Sequence, residues 1–162
     1  MAKAYETHPI AEEQIEGAFV LARLSEPGLD LEGWRDRCLR SRWHGAGEIA
    51  VVSNTRGYVQ GLAIIVRPGH FLRHDALEVP CFVVASAADD VGVGQELFRY
   101  VADCARQAGC PSIHIHFADD SEQTLSADAA PEEVNFLLRA TPKVRLPDSG
   151  GAPPARSASA PR

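Results

Sequence analysis

The chain has 162 residues, of which 45% are hydrophobic and 23% charged, enough apolar side chain for one packed domain and too much for a disordered chain. Sixteen basic against twenty-two acidic residues leave a formal net charge of −6, which opposes polyanions and makes nucleic acid an unexpected partner. No apolar run reaches the roughly 18–20 residues that cross a bilayer, and the opening MAKAYETHPI lacks the apolar core of a secretion signal, so a cytoplasmic chain with no membrane partner is expected.

Pro9 suits the first turn of a helix, and Ile15, Ala18, Phe19 and Ala22 follow at helical spacing until Glu26-Pro27-Gly28. Asp30 is placed to cap a second helix whose apolar side carries Leu31, Trp34 and Cys38 before Gly45 and Gly47 intervene. Arg35, Arg37, Arg40 and Arg42 lie along this helix with Glu32 and Asp36 interleaved, the pattern of a solvated face. Two helices are thus expected ahead of the first strand.

The period then shortens to two. Glu48 to Asn54 reads as a strand, Thr55-Arg56-Gly57 as a tight turn, and Tyr58 to Arg67 as the hairpin partner. After Pro68-Gly69 and a polar loop with His70, Arg73 and His74, Leu77 to Ala85 supplies a third strand, interrupted at Pro80 where a bulge is expected. A helix over 92–108 follows, with Leu97, Val101, Cys104, Ala105 and Ala108 on one face and Gly109 at the left-handed cap position. Ser112 to Phe117 alternates as a further strand, and strand, helix, strand at this length predicts a parallel crossover.

Beyond Ala118, Pro131 to Ala140 reads as a short helix and Lys143 to Leu146 as a brief strand at most. The expected organisation is one domain over residues 1–146 and a disordered tail over 147–162, whose Pro, Gly, Ser and Ala cannot offset the entropy of ordering.

The four cysteines, Cys38, Cys81, Cys104 and Cys110, form no CxxC pair and have no histidine in ligand spacing, so neither a disulfide framework nor a metal is expected. Cys81 has nothing nearby in sequence to lower its pKa and reads as a structural thiol. The stretch FVVASAADDVGVGQELFRYV carries the most chemistry, because a hydrophobic strand enters a glycine-containing turn that opens a helix. Gly92 and Gly94 let a ligand approach the backbone, and first-turn amides favour an anion such as a diphosphate. The same glycines also serve close packing, so on their own they leave both roles open.

With two helices, an antiparallel meander, and then strand, glycine turn, helix and strand, the chain resembles the Gcn5-related N-acetyltransferases over residues 9–118 and most specifically over Phe82 to Leu97. The resemblance implies an α/β fold of the α+β kind, a mixed, mostly antiparallel sheet with helices on both faces. It implies acetyl-coenzyme A as cosubstrate and a small-molecule or protein amine as acceptor. The family pattern of Gln or Arg, two residues, Gly, one residue, and Gly or Ala falls here on Asp89, Asp90, Val91, Gly92, Val93 and Gly94. By resemblance the amides of Val91, Gly92, Val93, Gly94 and Gln95 hold the diphosphate, and the backbone of Phe82, Val83 and Val84 pairs with the pantetheine arm.

Two departures stand out. Asp89 replaces the family's Gln or Arg and is followed by Asp90, which can cap the helix with the amides a phosphate needs. The family's tyrosine acid has no counterpart after Tyr100, and the second half is shortened. Acid–base candidates are therefore Glu78 on the third strand and His116, which shares one face of its strand with His114; each also suits an ordinary strand position. Two functions follow: acyl transfer to an amine, or a non-catalytic interaction module on the same scaffold, expected as a homodimer through an exposed sheet edge.

Overall fold

The computed structural model describes residues 4–44, 47–67 and 75–133, with no side-chain description for 42–44. The expected loop at His70, Arg73 and His74, most of the Pro131–Ala140 helix, the Lys143–Leu146 strand and the tail lie outside the described residues.

Six strands form one sheet in chain order: β1 Tyr5–Pro9, β2 Gly47–Asn54, β3 Val59–Val66, β4 Ala76–Val84, β5 Ser112–Phe117 and β6 Glu122–Ser126. Every neighbouring pair is antiparallel except β4 and β5, which run parallel. The helices are α1 Ile15–Ser25, preceded by a 3-10 turn, α2 Leu31–His44, and α3 Asp90–Ala108, which provides the crossover between the parallel strands.

The expectation of a helix beginning at Pro9 is wrong: Tyr5–Pro9 is a strand paired antiparallel with β2. Pro9 ends an edge strand, where its missing N–H leaves no ladder bond unmade, and the chain re-enters the sheet edge through Ile10 N–H to Ile49 O at 2.8 Å. β6 was not expected either. Its polar segment EQTLS is held by pairing with β5, His114 opposite Thr124 and His116 opposite Glu122.

Elsewhere local signals decide the ends. Asp30 Oδ1 accepts from Gly33 N at 2.7 Å and caps α2. Gly109, at φ 73°, closes α3 in the left-handed conformation. The β2–β3 turn is organised by Asn54, whose Oδ1 accepts from the amides of Arg56 and Tyr58, each at 3.0 Å.

Strand alternation splits the core across the two faces of the sheet. On one face α3 packs Val93, Leu97, Phe98, Val101, Ala102 and Ala105 against Ala50, Val52, Ala63, Ile65, Leu77, Val79 and the inward residues of β5. On the other, α1 and α2 cover Ile49, Val51, Leu62, Cys81 and Val83. The two helices are joined by fully buried Trp34, whose indole N–H donates to Ile15 O at 2.7 Å.

The expected bulge at Pro80 is present and acts on both neighbours. Ile64 pairs with Cys81 but Val66 with Glu78, and Val79 pairs with Ile115 but Phe82 with Phe117, so β4 carries one extra residue around Pro80. The extra residue reverses the alternation. Leu77, Val79 and Phe82 all reach the α3 side, while Glu78, Cys81 and Val83 reach the α1–α2 side.

Candidate functional site

β4 and β5 part beyond the bulge, where β5 ends. Their last pair in register is Phe82 with Phe117, and β4 continues to Val84 while β5 ends at Phe117 and turns into the β6 hairpin. Ala85 N donates to Gln60 O at 2.9 Å. Amides at alternate positions therefore face β3, and the backbone of Val84, between Val83 and Ala85, faces away from β3 and past the end of β5. Val84 itself is half-buried and packs against the core cluster that includes α3. Of Phe82, Val83 and Val84, Phe82 pairs with Phe117, whereas Val83 and Val84 have no register partner on β5.

At that first turn the cap is Asp89 and not Asp90. Asp89 Oδ1 accepts from Gly92 N at 2.8 Å, and the Asp89 carbonyl accepts from Val93 N at 3.3 Å. The carboxylate folds so closely over Gly92 that a Cβ there would lie 2.2 Å from Asp89 Oδ2, so a larger residue would require the Asp89 side chain to shift. Asp89 is anchored further by Ser86 Oγ, 3.2 Å from its amide, and by the Tyr5 hydroxyl of β1. Burial, then that hydrogen bond and the negative charge of Asp89, push the Tyr5 phenol above its ordinary value. Of the residues expected to cradle a diphosphate, Val91, Gly92 and Gln95 are half-buried, whereas Val93 and Gly94 are buried. The extended β1 could not be foreseen from the helical reading of Pro9, and with it the link between Tyr5 and Asp89 was missed.

A second polar group lies on the α1–α2 side of the sheet. Glu78 pairs in register with His114, and His116 with Glu122. The register and the common face bring the four side chains together. His114 Nδ1 is 3.2 Å from Glu78 Oε2 and His116 Nε2 is 3.9 Å from the same oxygen. On the opposite ring edges, His114 Nε2 is 3.5 Å from Glu122 Oε2 and His116 Nδ1 is 3.2 Å from Glu122 Oε1. Period-two alternation gave the shared face of the histidines; Glu122 was missed because β6 was.

Along β4 from Glu78, the bulge residues Pro80 and Cys81 line a cleft of about 400 Å3 with Ala22, Ser25, Glu26, Arg37 and Ile64. The cleft is roofed by the end of α1 and by α2, and its walls carry both a carboxylate and a guanidinium, joined at 2.8 Å between Arg37 and Glu26. Cys81 faces Ser25 Oγ at 3.3 Å, and burial pushes its thiol pKa up, as befits the structural role read from the sequence. The bulge thus places this cleft and the Glu78–histidine group on one face, with β4 outrunning β5 at the end of the same strand.

No family model matches the chain, and no curated protein matches it in sequence. Solved structures do match its architecture. Spermidine N-acetyltransferase from Vibrio cholerae, in complex with CoA and spermine, superposes with a TM-score of 0.58 at 13% identity, over 84% of this chain and 78% of that one. Glucosamine-6-phosphate N-acetyltransferase from Arabidopsis thaliana gives 0.58 at 15% identity, over 89% and 97%. An acetyltransferase of the GNAT family from Staphylococcus aureus Mu50 gives 0.53 at 12% identity, over 70% and 72%. The chain therefore has the Gcn5-related N-acetyltransferase fold, the α/β architecture that the glycine turn and element order implied. Among the described residues no helix is long and apolar enough to cross a membrane.

Proposed function

We propose that the protein is an acyl-coenzyme A-dependent N-acyltransferase that passes an acetyl or related acyl group directly to an amine. The observation that carries this reading is the Pro80 bulge, which brings Cys81 and its cleft with Ser25 and Arg37 onto the face that carries Glu78, ahead of the point where β4 outruns β5. The fold likeness supports it, since one structure sharing the architecture is a complex with CoA and spermine.

In this reading the pantetheine arm runs along Phe82, Val83 and Val84, chiefly against the backbone of Val84. The diphosphate lies on the first turn of α3, over Val91 to Gln95. Bound acyl-coenzyme A supplies the activated thioester, and the chain's own groups manage the proton. Glu78 takes it from the attacking amine, and His116, within 3.9 Å of that carboxylate, returns it toward the leaving sulfur. To seat a diphosphate the Asp89 carboxylate must leave the Gly92 amide, so binding competes with the helix cap.

That competition favours a second reading, a non-catalytic module that keeps the scaffold and self-associates through a sheet edge. The two are separated by following release of free coenzyme A thiol from acetyl-coenzyme A in the presence of chelator, with spermidine, amino sugars and peptide N-termini as acceptors. Acyl transfer predicts turnover, reduced roughly 100-fold or more by Glu78→Gln. No turnover together with no coenzyme binding, in a dimer of unchanged mass, overturns it and leaves the module.

A further inference from the structure

We propose that Glu78, His114 and His116 bind one divalent transition-metal ion of the zinc class, with Glu122 orienting both imidazoles. One carboxylate oxygen and one nitrogen from each ring lie within 4.8 Å of one another. For bonds of about 2.0–2.1 Å, a tetrahedral ion spaces its ligand atoms about 3.3 Å apart. The Glu78–His114 separation of 3.2 Å already meets that spacing, and the Glu78–His116 separation of 3.9 Å needs only a small rotation of an exposed carboxylate.

The far edges of the rings make the stronger argument. An imidazole that binds a metal through one nitrogen characteristically gives its other N–H to a carboxylate, which sets tautomer and orientation. Here the nitrogens turned away from Glu78, His114 Nε2 and His116 Nδ1, both meet Glu122, at 3.5 and 3.2 Å. Three strands fix this arrangement through register pairs, so the backbone prepays most of the ordering.

Two imidazoles and one carboxylate suit zinc, nickel, copper or iron and not the hard cations magnesium and calcium, which take oxygen ligands. The side chains of His114, His116 and Glu78 are 29%, 36% and 48% exposed, so an ion has a path in and keeps a fourth position for water. The inference does not rest on acyl transfer. It sets a limit on it, because a metal held by Glu78 occupies the oxygen that would take the amine's proton, so occupancy and acid–base work exclude each other at this residue.

The test uses the full chain, stripped with chelator and titrated with zinc chloride by calorimetry, and separately with cobalt chloride by visible absorption. One equivalent should bind, with the intense bands of four-coordinate cobalt. His116→Gln and His114→Gln, each checked for fold by circular dichroism, should each abolish the bands. Glu122→Gln should retain one-to-one binding and weaken it roughly 10–100-fold, the mark of an orienting partner. Absence of one-to-one binding in the wild-type chain overturns the proposal, and so does binding that survives in both histidine variants, which would place the ion at a cysteine. Either failure leaves acyl transfer standing, because that reaction is assayed in chelator.

Discussion

Asp89→Asn isolates the electrostatic question at the glycine turn. Asparagine caps a helix about as well as aspartate, so the bond to Gly92 N and the acceptor for Tyr5 persist and the fold is kept. What changes is one negative charge beside the position a diphosphate would take. A unit-charge pair at about 4 Å costs about 1 kcal/mol in water and several times more where solvent is excluded. Against the two nearest phosphate charges, removing Asp89 is worth about 2 kcal/mol, a gain of about 20–30-fold in affinity for acetyl-coenzyme A. Calorimetry on both proteins at low salt measures it directly, and added salt should shrink the gap because the turn is only half-buried. Equal affinities within a factor of two, in folded proteins, would refute the placement of the diphosphate at this turn.

Three further outcomes test the packing that positions the site. Tyr100→Phe removes the hydroxyl that donates to the Glu48 carboxylate, which Arg67 also holds at 3.2 Å. Losing this partly buried bond to a charged group should cost about 1–2 kcal/mol and lower the melting temperature by about 3–8 °C in thermal denaturation. Trp34→Phe loses the bond to Ile15 O and leaves a void between α1 and α2, and urea denaturation should show a loss of about 2–4 kcal/mol. Burial, with the Glu48 charge added, pushes the Cys104 thiol up to about 11, and burial likewise raises Cys81 and Cys110. These raised thiols stay protonated through neutral pH, so alkylation at pH about 8 should be slow for all three in the native protein and fast after denaturation. Fast native labelling of Cys81 would contradict its structural role.

What was legible in the sequence was what local chemistry determines. The α3 stripe, the Asp30 and Gly109 caps, the β2–β3 turn and the Pro80 bulge each depend on a few adjacent residues. β1 and β6 are polar five-residue segments whose strand state comes from their neighbours β2 and β5, far away in sequence or across a tight hairpin, and neither carries the apolar run of an isolated strand signal. The site followed the same rule. His114 and His116 share a face by period two, but Glu78 joins them only because the crossover sets β4 beside β5 in register, and Glu122 only through β6. The cap was misplaced by one residue, since Asp89 and Asp90 both suit the position and contact with Tyr5 favours Asp89. Among the described residues Thr7 Oγ1 on β1 is a buried polar atom with no hydrogen-bond partner, and the fold gives no physical account of it.

The proposed acyl transfer requires the backbone beside Val84 and the first turn of α3 to form one continuous binding surface for acyl-coenzyme A. Co-crystallisation with coenzyme A is the decisive experiment. Electron density is expected for the pantetheine amides against the Val84 backbone, for the diphosphate on the amides around Gly92, and for an Asp89 side chain swung off its cap. A crystal grown at saturating coenzyme, with that surface empty and the Asp89–Gly92 bond intact, would contradict it.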